Sequence, residues 1–150
     1  MSTLIIGNPA PNFSGINQNE TPVSLDSYKG KKLVLYFYPK DDTPGCTAES
    51  CDLRDNYERF LAAGYEVLGV SPDTHTKHQK FIAKYELPFD LIADTEHTLA
   101  EAYGVWVEKS MYGRKYMGIA RTTFIINEAG IIEDIIEKVN TKAHSAQILK

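Results

Sequence analysis

The chain has 150 residues, 43% of them hydrophobic, and this length and composition are typical of one folded domain. Its formal net charge of −4 excludes the strongly basic surface of most nucleic-acid-binding proteins. The longest apolar run, residues 33–38, spans six residues and is far too short to cross a membrane. The first residues carry neither a basic segment nor a long apolar stretch, so we expect no secretory signal and a cytoplasmic protein.

The first part of the chain is predicted to form a hairpin, a buried strand and a long helix. Residues 13–16 and 23–25 read as two short strands around a polar turn, which indicates an N-terminal β-hairpin. Residues 32–38 are almost all apolar or aromatic, as expected for a strand buried on both faces. The polar-apolar pattern of residues 47–63 predicts a helix that Gly64 ends.

The rest of the chain alternates strands with helices. In order, we predict a strand at 65–71, a helix at 76–85, a strand at 91–93, a helix at 97–103, an antiparallel hairpin of 122–126 and 131–137, and a last helix that Asn140 or Thr141 caps and that ends at Ile148. Buried strands that alternate with helices predict an α/β sandwich with a mixed sheet. We interpret residues 1–150 as a single domain.

The two cysteines, Cys46 and Cys51, are too few for a disulfide-stapled scaffold. Thr43 is predicted to cap the long helix and Pro44 fits its first position, which makes Cys46 the third helical residue. There the unpaired backbone N–H groups and the helix dipole favour a thiolate over a thiol. Position alone leaves open that Cys46 is a small buried residue without chemistry.

The segment that contains both cysteines resembles a known family. Residues 38–51 read Tyr-Pro-Lys-Asp-Asp-Thr-Pro-Gly-Cys-Thr-Ala-Glu-Ser-Cys, and they contain the peroxiredoxin active-site pattern Pro39-x-x-x-Thr43-x-x-Cys46. The chain is similar here, and at residues 7–13, 69–71 and 121–127, to the bacterioferritin comigratory protein or peroxiredoxin Q subfamily. The resemblance implies a thioredoxin-like α/β fold, with a mixed central sheet flanked by helices and an extra N-terminal β-hairpin. It also implies a peroxidase for hydrogen peroxide and alkyl hydroperoxides that uses no metal, haem or flavin.

The resemblance also assigns roles to particular residues. Cys46 becomes the peroxidatic nucleophile, which a peroxide oxidises to a sulfenic acid. Thr43 supplies a hydroxyl beside the sulfur, Pro39 shields the pocket, and the permanent charge of Arg121 stabilises the thiolate and the transition state. Glu49 would orient Arg121. Without the resemblance, Thr43 reads as a simple cap, Arg121 as a solvated charge and Glu49 as an ordinary first-turn acid.

Cys51 matches the resolving cysteine that some members of this subfamily carry. The resemblance implies that it forms an intramolecular disulfide with Cys46, which thioredoxin then reduces, in an enzyme that is a monomer. Five residues along an α-helix separate two Cα atoms by about 8.6 Å, whereas a disulfide needs about 6.8 Å or less. We therefore predict that oxidation unwinds the helix. The alternative is that Cys51 only packs and that an external thiol resolves Cys46.

Three other functions remain to be separated from a peroxidase. A general thiol–disulfide oxidoreductase is less consistent with the Cys-x4-Cys spacing than with Cys-x-x-Cys. A peroxide sensor or partner-binding domain would be oxidised once, without turnover. A two-cysteine metal clip lacks further thiol ligands.

Two weaker motifs have simpler interpretations. The pair His75-x-x-His78 has the spacing of helical metal ligands but no acidic or cysteine partner in the sequence, and we interpret it as a solvated helix start. The basic and aromatic residues 112–116 are interpreted as a loop before the strand of Arg121, and Trp106 as a packing residue.

Overall fold

The computed structural model describes residues 4–149. The strands are β1 (Ser14–Ile16), β2 (Pro22–Ser24), β3 (Lys32–Phe37), β4 (Tyr65–Ser71), β5 (Asp90–Ala93), β6 (Trp106–Met111), β7 (Arg114–Ile119), β8 (Thr122–Ile126) and β9 (Ile132–Ile136). The α-helices are α1 (Pro44–Asp55), α2 (Tyr57–Ala62), α3 (His75–Tyr85), α4 (Thr98–Ala102) and α5 (His144–Ile148), and a short 3-10 helix covers Leu25–Tyr28. Within residues 4–149, no helix combines the length and the apolar character that crossing a membrane demands.

A five-stranded mixed sheet forms the centre of the molecule, in the order β5-β4-β3-β8-β9. Strands β3, β4 and β5 are parallel, whereas β8 runs antiparallel to β3 and β9 runs antiparallel to β8. The mixed sheet predicted from the sequence is therefore confirmed. The central position of β3 explains its composition, because a strand covered on both faces needs apolar residues at every position.

Side chains of β3 and of the residue after it alternate between the two faces of the sheet. Leu35 and Phe37 belong to one buried cluster. Tyr36 and Tyr38 belong to the other, which also contains Cys46. Helix α1 thus packs its cysteine against the face of the sheet that carries the two tyrosines.

The N-terminal hairpin is confirmed as an antiparallel pair of β1 and β2. The long helix begins at Pro44 after Thr43, as predicted, but it is divided at Asn56 into α1 and α2 where one continuous helix was expected. The predicted cap of the last helix is also wrong, because Ala143 precedes α5. Asn140 instead accepts a hydrogen bond from the backbone N–H of Lys142, in the loop before α5.

The interpretation of residues 112–116 as a loop is wrong. Strands β6 and β7 form a separate antiparallel ribbon there. Tyr112 and Gly113, at its tip, have φ values of 52° and 78°, which is the backbone of a two-residue hairpin turn. Residues 110–117 are exposed on both faces, so the ribbon lacks the apolar alternation that marks a half-buried strand.

Candidate active site

Cys46 lies in the first turn of α1, directly after the loop that follows β3. Thr43 precedes the helix with an extended backbone and Pro44 is the first helical residue, so Cys46 is the third. The first N–H groups of a helix have no carbonyl partner within it and carry the positive end of its dipole. Because Cys46 is fully buried, bulk water screens this potential only weakly. The sulfur of Cys46 therefore lies at the positive end of the helix dipole.

Arg121 reaches Cys46 because of the way two strands are paired. Strand β8 runs antiparallel to β3 with Thr122 opposite Phe37, so the residue before β8 lies beside the loop that leads to α1. Arg121 Nη2 donates a hydrogen bond to Cys46 Sγ at 3.3 Å. The guanidinium passes over Gly45, where an added Cβ would lie 3.2 Å from Nη2. Glycine at this position leaves room for the arginine.

Glu49 lies one turn after Cys46 and is fully buried. Arg121 Nη1 donates to Glu49 Oε1 at 2.7 Å, so one guanidinium contacts both a sulfur and a carboxyl group. Burial raises the pKa of Glu49 to about 7, although Arg121 opposes the shift. Burial also lowers the pKa of Arg121, but Cys46 and Glu49 outweigh this effect and the net shift is upward. Arg121 therefore remains charged where it faces the sulfur.

Thr43 and Pro39 lie in the loop between β3 and α1. Thr43 Oγ1 donates to the carbonyl oxygen of Lys40 at 2.9 Å and makes no hydrogen bond to an N–H of the helix. Its hydrogen is thus already used, and the lone pairs of Oγ1 are free to accept a hydrogen bond. Pro39 is half-buried in the same loop.

Cys51 lies five positions after Cys46 in the same helix, and it is half-buried. Burial raises the pKa of the Cys51 thiol, with Arg54 opposing the shift. A thiol with a raised pKa is mostly protonated at neutral pH and is a poor nucleophile until it ionises. Both cysteines are free, and their surroundings differ: the sulfur of Cys46 accepts a hydrogen bond from a guanidinium, whereas burial keeps Cys51 a thiol.

A buried cluster anchors the loop before α1. Asp41 Oδ2 lies 2.6 Å from His78 Nδ1, and the Asp41 N–H donates to Asp73 Oδ2 at 2.7 Å. Tyr38 donates to Asp41 Oδ1 at 2.6 Å, and His78 Nε2 lies 2.9 Å from the carbonyl oxygen of Ile92. The prediction of a solvated helix start is wrong for His78, which is buried and has acidic neighbours. Since both of its ring nitrogens are hydrogen-bonded, the cluster fixes the loop and offers no free imidazole nitrogen to a metal.

Two residues near the site have no signal in the sequence. His144, the first residue of α5, is fully buried, and its Nε2 lies 3.6 Å from Glu49 Oε2. Burial and Arg121 lower the pKa of Lys109, a residue of β6, while Cys46 opposes the shift. Both residues come from elements distant in the sequence, and no local pattern distinguishes them from other isolated histidines and lysines.

The chain matches one protein family over most of its length. Residues 6–135 match the AhpC/TSA family. A protein of Coxiella burnetii named putative peroxiredoxin bcp is 48% identical over 147 residues, which cover 98% of this chain and 97% of that protein. The peroxiredoxin Bcp of Bacillus subtilis is 48% identical over 148 residues, which cover 99% of this chain and 94% of that protein.

Solved structures agree with these relatives. Peroxiredoxin Q of Xanthomonas campestris superimposes with a TM-score of 0.89 at 36% identity, over 99% of this chain and 94% of that one. The bacterioferritin comigratory protein of the same organism, described for its alkyl peroxide reduction activity, gives a TM-score of 0.88 at 35% identity, over 99% and 95% of the two chains. The chain therefore belongs to the AhpC/TSA family and, within it, to the thioredoxin-fold thiol peroxidases known as peroxiredoxins Bcp or Q.

Proposed function

We propose that this enzyme reduces hydrogen peroxide and organic hydroperoxides through Cys46, with Arg121 and Glu49 completing the site. The hydrogen bond of 3.3 Å from Arg121 Nη2 to Cys46 Sγ carries the proposal. It places a permanent positive charge on a buried sulfur at a helix N-terminus, where a thiolate is needed. The alkyl peroxide reduction ascribed to the Xanthomonas relative supports the organic substrates.

The first step transfers one oxygen atom to sulfur. The Cys46 thiolate attacks the terminal oxygen of the peroxide, so that an S–O bond forms while the O–O bond breaks. Sulfur is oxidised to a sulfenic acid, and the peroxide is reduced to hydroxide or an alkoxide, which takes a proton from solvent. Negative charge moves from sulfur to the departing oxygen, and Arg121, hydrogen-bonded to the sulfur, stabilises that charge along the path.

Thr43 and Pro39 are proposed to hold the peroxide in line for this attack. Because the Thr43 hydroxyl already donates to Lys40, its free role is to accept a hydrogen bond from the peroxide O–H. Backbone N–H groups around Gly45 and Cys46 are the available donors to the peroxide oxygens. Pro39 closes the loop over the site and limits the access of water.

The second step forms a disulfide between Cys46 and Cys51. The Cys51 thiol loses its proton as its sulfur attacks the sulfenic sulfur, so that an S–S bond forms while the S–O bond breaks. The departing hydroxide takes up a proton and leaves as water. The two cysteines have then together supplied the two electrons that reduced the peroxide. Since both cysteines lie in the continuous helix α1, their Cα atoms are about 8.6 Å apart. Disulfide formation then requires the helix to unwind between them.

We further propose thioredoxin as the reductant, because unwinding of α1 would expose the disulfide to a dithiol protein. Turnover through a reducible disulfide suits the reducing cytoplasm. We propose a monomer of one domain spanning residues 1–150, since α1, the start of β8 and α5 of one chain together supply the site. Light scattering of the reduced and oxidised protein tests the monomer.

Coupled NADPH consumption, with thioredoxin and its reductase, tests the reaction. Wild-type protein should turn over hydrogen peroxide and an alkyl hydroperoxide, and folded Cys46→Ser protein should not. Turnover by Cys46→Ser, or oxidation of the wild type once without turnover, would overturn the proposal. A parallel insulin-reduction assay excludes a general oxidoreductase if wild-type activity is absent there.

Cys51→Ser separates the second step from the first. This variant should consume one equivalent of peroxide and accumulate the Cys46 sulfenic acid, whereas oxidised wild type should contain a Cys46–Cys51 link within one chain by mass spectrometry. A lasting sulfenic acid in the wild type would show that Cys51 does not resolve it.

A further inference from the structure

One carboxyl oxygen beside the active site has no hydrogen-bond partner among residues 4–149. Glu49 Oε1 accepts from Arg121, but Glu49 Oε2 is fully buried and unbonded. A buried carboxyl oxygen without a donor is unfavourable, since it has lost water and gained nothing. The polar atom that faces it is His144 Nε2, at 3.6 Å, and both side chains are 0% exposed.

The hydrogen bonds of α5 determine which nitrogen of His144 carries its proton. Gln147 Nε2 donates to the carbonyl oxygen of Lys138, and Gln147 Oε1 accepts from the N–H of Asn140. The amide orientation is thereby fixed, and Gln147 Oε1 also faces His144 Nδ1 at 2.7 Å. Nδ1 must be the donor. In the neutral ring Nε2 is therefore an acceptor, and it accepts a hydrogen bond from the Thr123 hydroxyl at 2.8 Å.

The unbonded oxygen therefore faces an acceptor nitrogen whose lone pair the Thr123 hydroxyl occupies. A proton between Oε2 and Nε2 would satisfy the oxygen once that hydroxyl turned away. We propose that Glu49 and His144 bind a single proton between Oε2 and Nε2, and that His144 is a positioning residue which keeps Arg121 directed at Cys46. The proposal deepens the proposed function of Cys46 and rests on it. The gap needs to close by only about 0.5 Å to make a hydrogen bond.

The proton matters because it sets the charge that Arg121 faces. With the proton bound, the Glu49–His144 pair is neutral and the Cys46 thiolate is the single anion at the guanidinium. Without it, the Glu49 carboxylate competes with sulfur for Arg121. Burial raises the pKa of Glu49 to about 7 and lowers that of His144, so the pair loses its proton near neutral pH. The other titratable groups that face the pair are Asp52 of α1, Tyr36 of β3 and Cys46.

Nuclear magnetic resonance of the full-length wild type tests the shared proton directly. The carboxyl carbon of Glu49 and the Nε2 nitrogen of His144 should titrate with one common midpoint near neutral pH. A His144 nitrogen signal that stays constant while Glu49 titrates would overturn the proposal. Repeating the titration in Cys46→Ser removes the thiol from the site, and neither experiment uses peroxide, so the result is distinguishable from a failure of the proposed peroxidase.

Two variants should move the midpoint in opposite directions. His144→Gln removes the ring lone pair, so the titration midpoint of Glu49 should fall by about one pH unit. The pH above which the rate of reaction with peroxide declines should fall by the same amount. Thr123→Val removes the competing donor to Nε2 and should raise both. His75→Gln is the matched control, because His75 pairs with Glu20 at the exposed start of α3. A purely structural role would lower the melting temperature and leave every midpoint equal, which would refute the proposal. If His144→Gln failed to fold, an unchanged midpoint in Thr123→Val would refute it.

Discussion

Two buried pairs of a histidine and a carboxyl group lie on either side of the first turn of α1. In the first, Asp41 and His78 are 2.6 Å apart, and Tyr38 donates to the second oxygen of Asp41. In the second, Glu49 and His144 are 3.6 Å apart, and one oxygen of Glu49 is unbonded. The pairs are similar in chemistry and burial, and they differ in whether every polar atom has a partner.

This difference separates a structural pair from a reactive one. A buried pair of polar side chains with all its hydrogen bonds made holds its geometry, and removing one partner leaves the other buried and unsatisfied. Asp41 and His78 have this form and fasten the loop that carries Thr43. Glu49 instead shares Arg121 with Cys46, and its unbonded oxygen allows its charge to change with pH. The satisfied pair positions α1, and the unsatisfied pair adjusts the field at the sulfur.

The largest effect should be on stability, and it should follow from breaking the Asp41–His78 pair. His78→Leu leaves Asp41 buried without its partner, and we expect a loss of about 3–5 kcal/mol in the free energy of unfolding. His75→Leu, three residues earlier on the same helix, should change it by about 0.5 kcal/mol or less. Denaturant unfolding of both variants measures the difference. Equal losses would show that the Asp41–His78 contact does not stabilise the loop.

The second largest effect should be on activity. It should follow from removing Arg121, which links the Glu49–His144 pair to the sulfur of Cys46. Arg121→Ala deletes the donor to Cys46 Sγ, and we expect the rate of reaction with peroxide to fall by about 10²–10³-fold. Arg59→Ala, at an exposed arginine that bonds to Asn56, is the matched control and should leave the rate unchanged. Stopped-flow measurement of peroxide reduction compares the two. A rate within a factor of about two of wild type in Arg121→Ala would place the charge elsewhere.

Much of the fold could be predicted because the sheet is buried on both faces. The apolar run of β3 and the alternation of helices and strands depend on burial, which leaves a clear mark in composition. The ribbon of β6 and β7 leaves none, since residues 110–117 are exposed on both of its faces. Its turn is Tyr112-Gly113, whereas the strongest sequence signals for such turns are Asn-Gly and Asp-Gly.

The site could be predicted only where its parts are close in sequence. The capping pattern places Thr43 before α1 and Cys46 third within it, whereas Glu49 reads as an ordinary first-turn acid unless the family resemblance is used. Arg121 was identifiable through the family resemblance alone, because the antiparallel register of β3 and β8 brings it to the sulfur. His144 comes from a five-residue helix at the other end of the chain, and nothing near it in the sequence specifies its contact with Glu49.

Stability should depend on pH through the second pair. The pKa of Glu49 rises from an ordinary 4.5 to about 7 in the folded protein, so the folded state binds the proton more tightly between these values. The free energy of unfolding therefore falls as pH rises through this window, by on the order of 3 kcal/mol in total. Glu49→Gln should remove this fall, and Glu58→Gln, at an exposed residue of α2, should retain it. Unfolding at about pH 4 and about pH 8 measures the slope, and a rise in stability across the window would contradict the argument.

The smallest expected effect concerns the docking of α5, which carries His144. This helix has no side-chain cap of its own; instead Asp52 Oδ2, on α1, accepts from the Ser145 N–H at 2.6 Å, and the Ser145 hydroxyl donates to the Asp52 carbonyl at 3.1 Å. Asp52→Ala should weaken the start of α5 by about 1 kcal/mol, and hydrogen exchange at the Ser145 N–H should become faster. Asp52→Asn keeps a carbonyl oxygen that can accept from this N–H, so exchange at Ser145 should be slower than in Asp52→Ala. Because Asp52 follows Cys51 directly, unwinding of α1 for the disulfide would remove the same contacts. Oxidised wild type should then exchange at Ser145 at least as fast as reduced Asp52→Ala, and full protection of α5 in the disulfide form would show that the helix does not unwind that far.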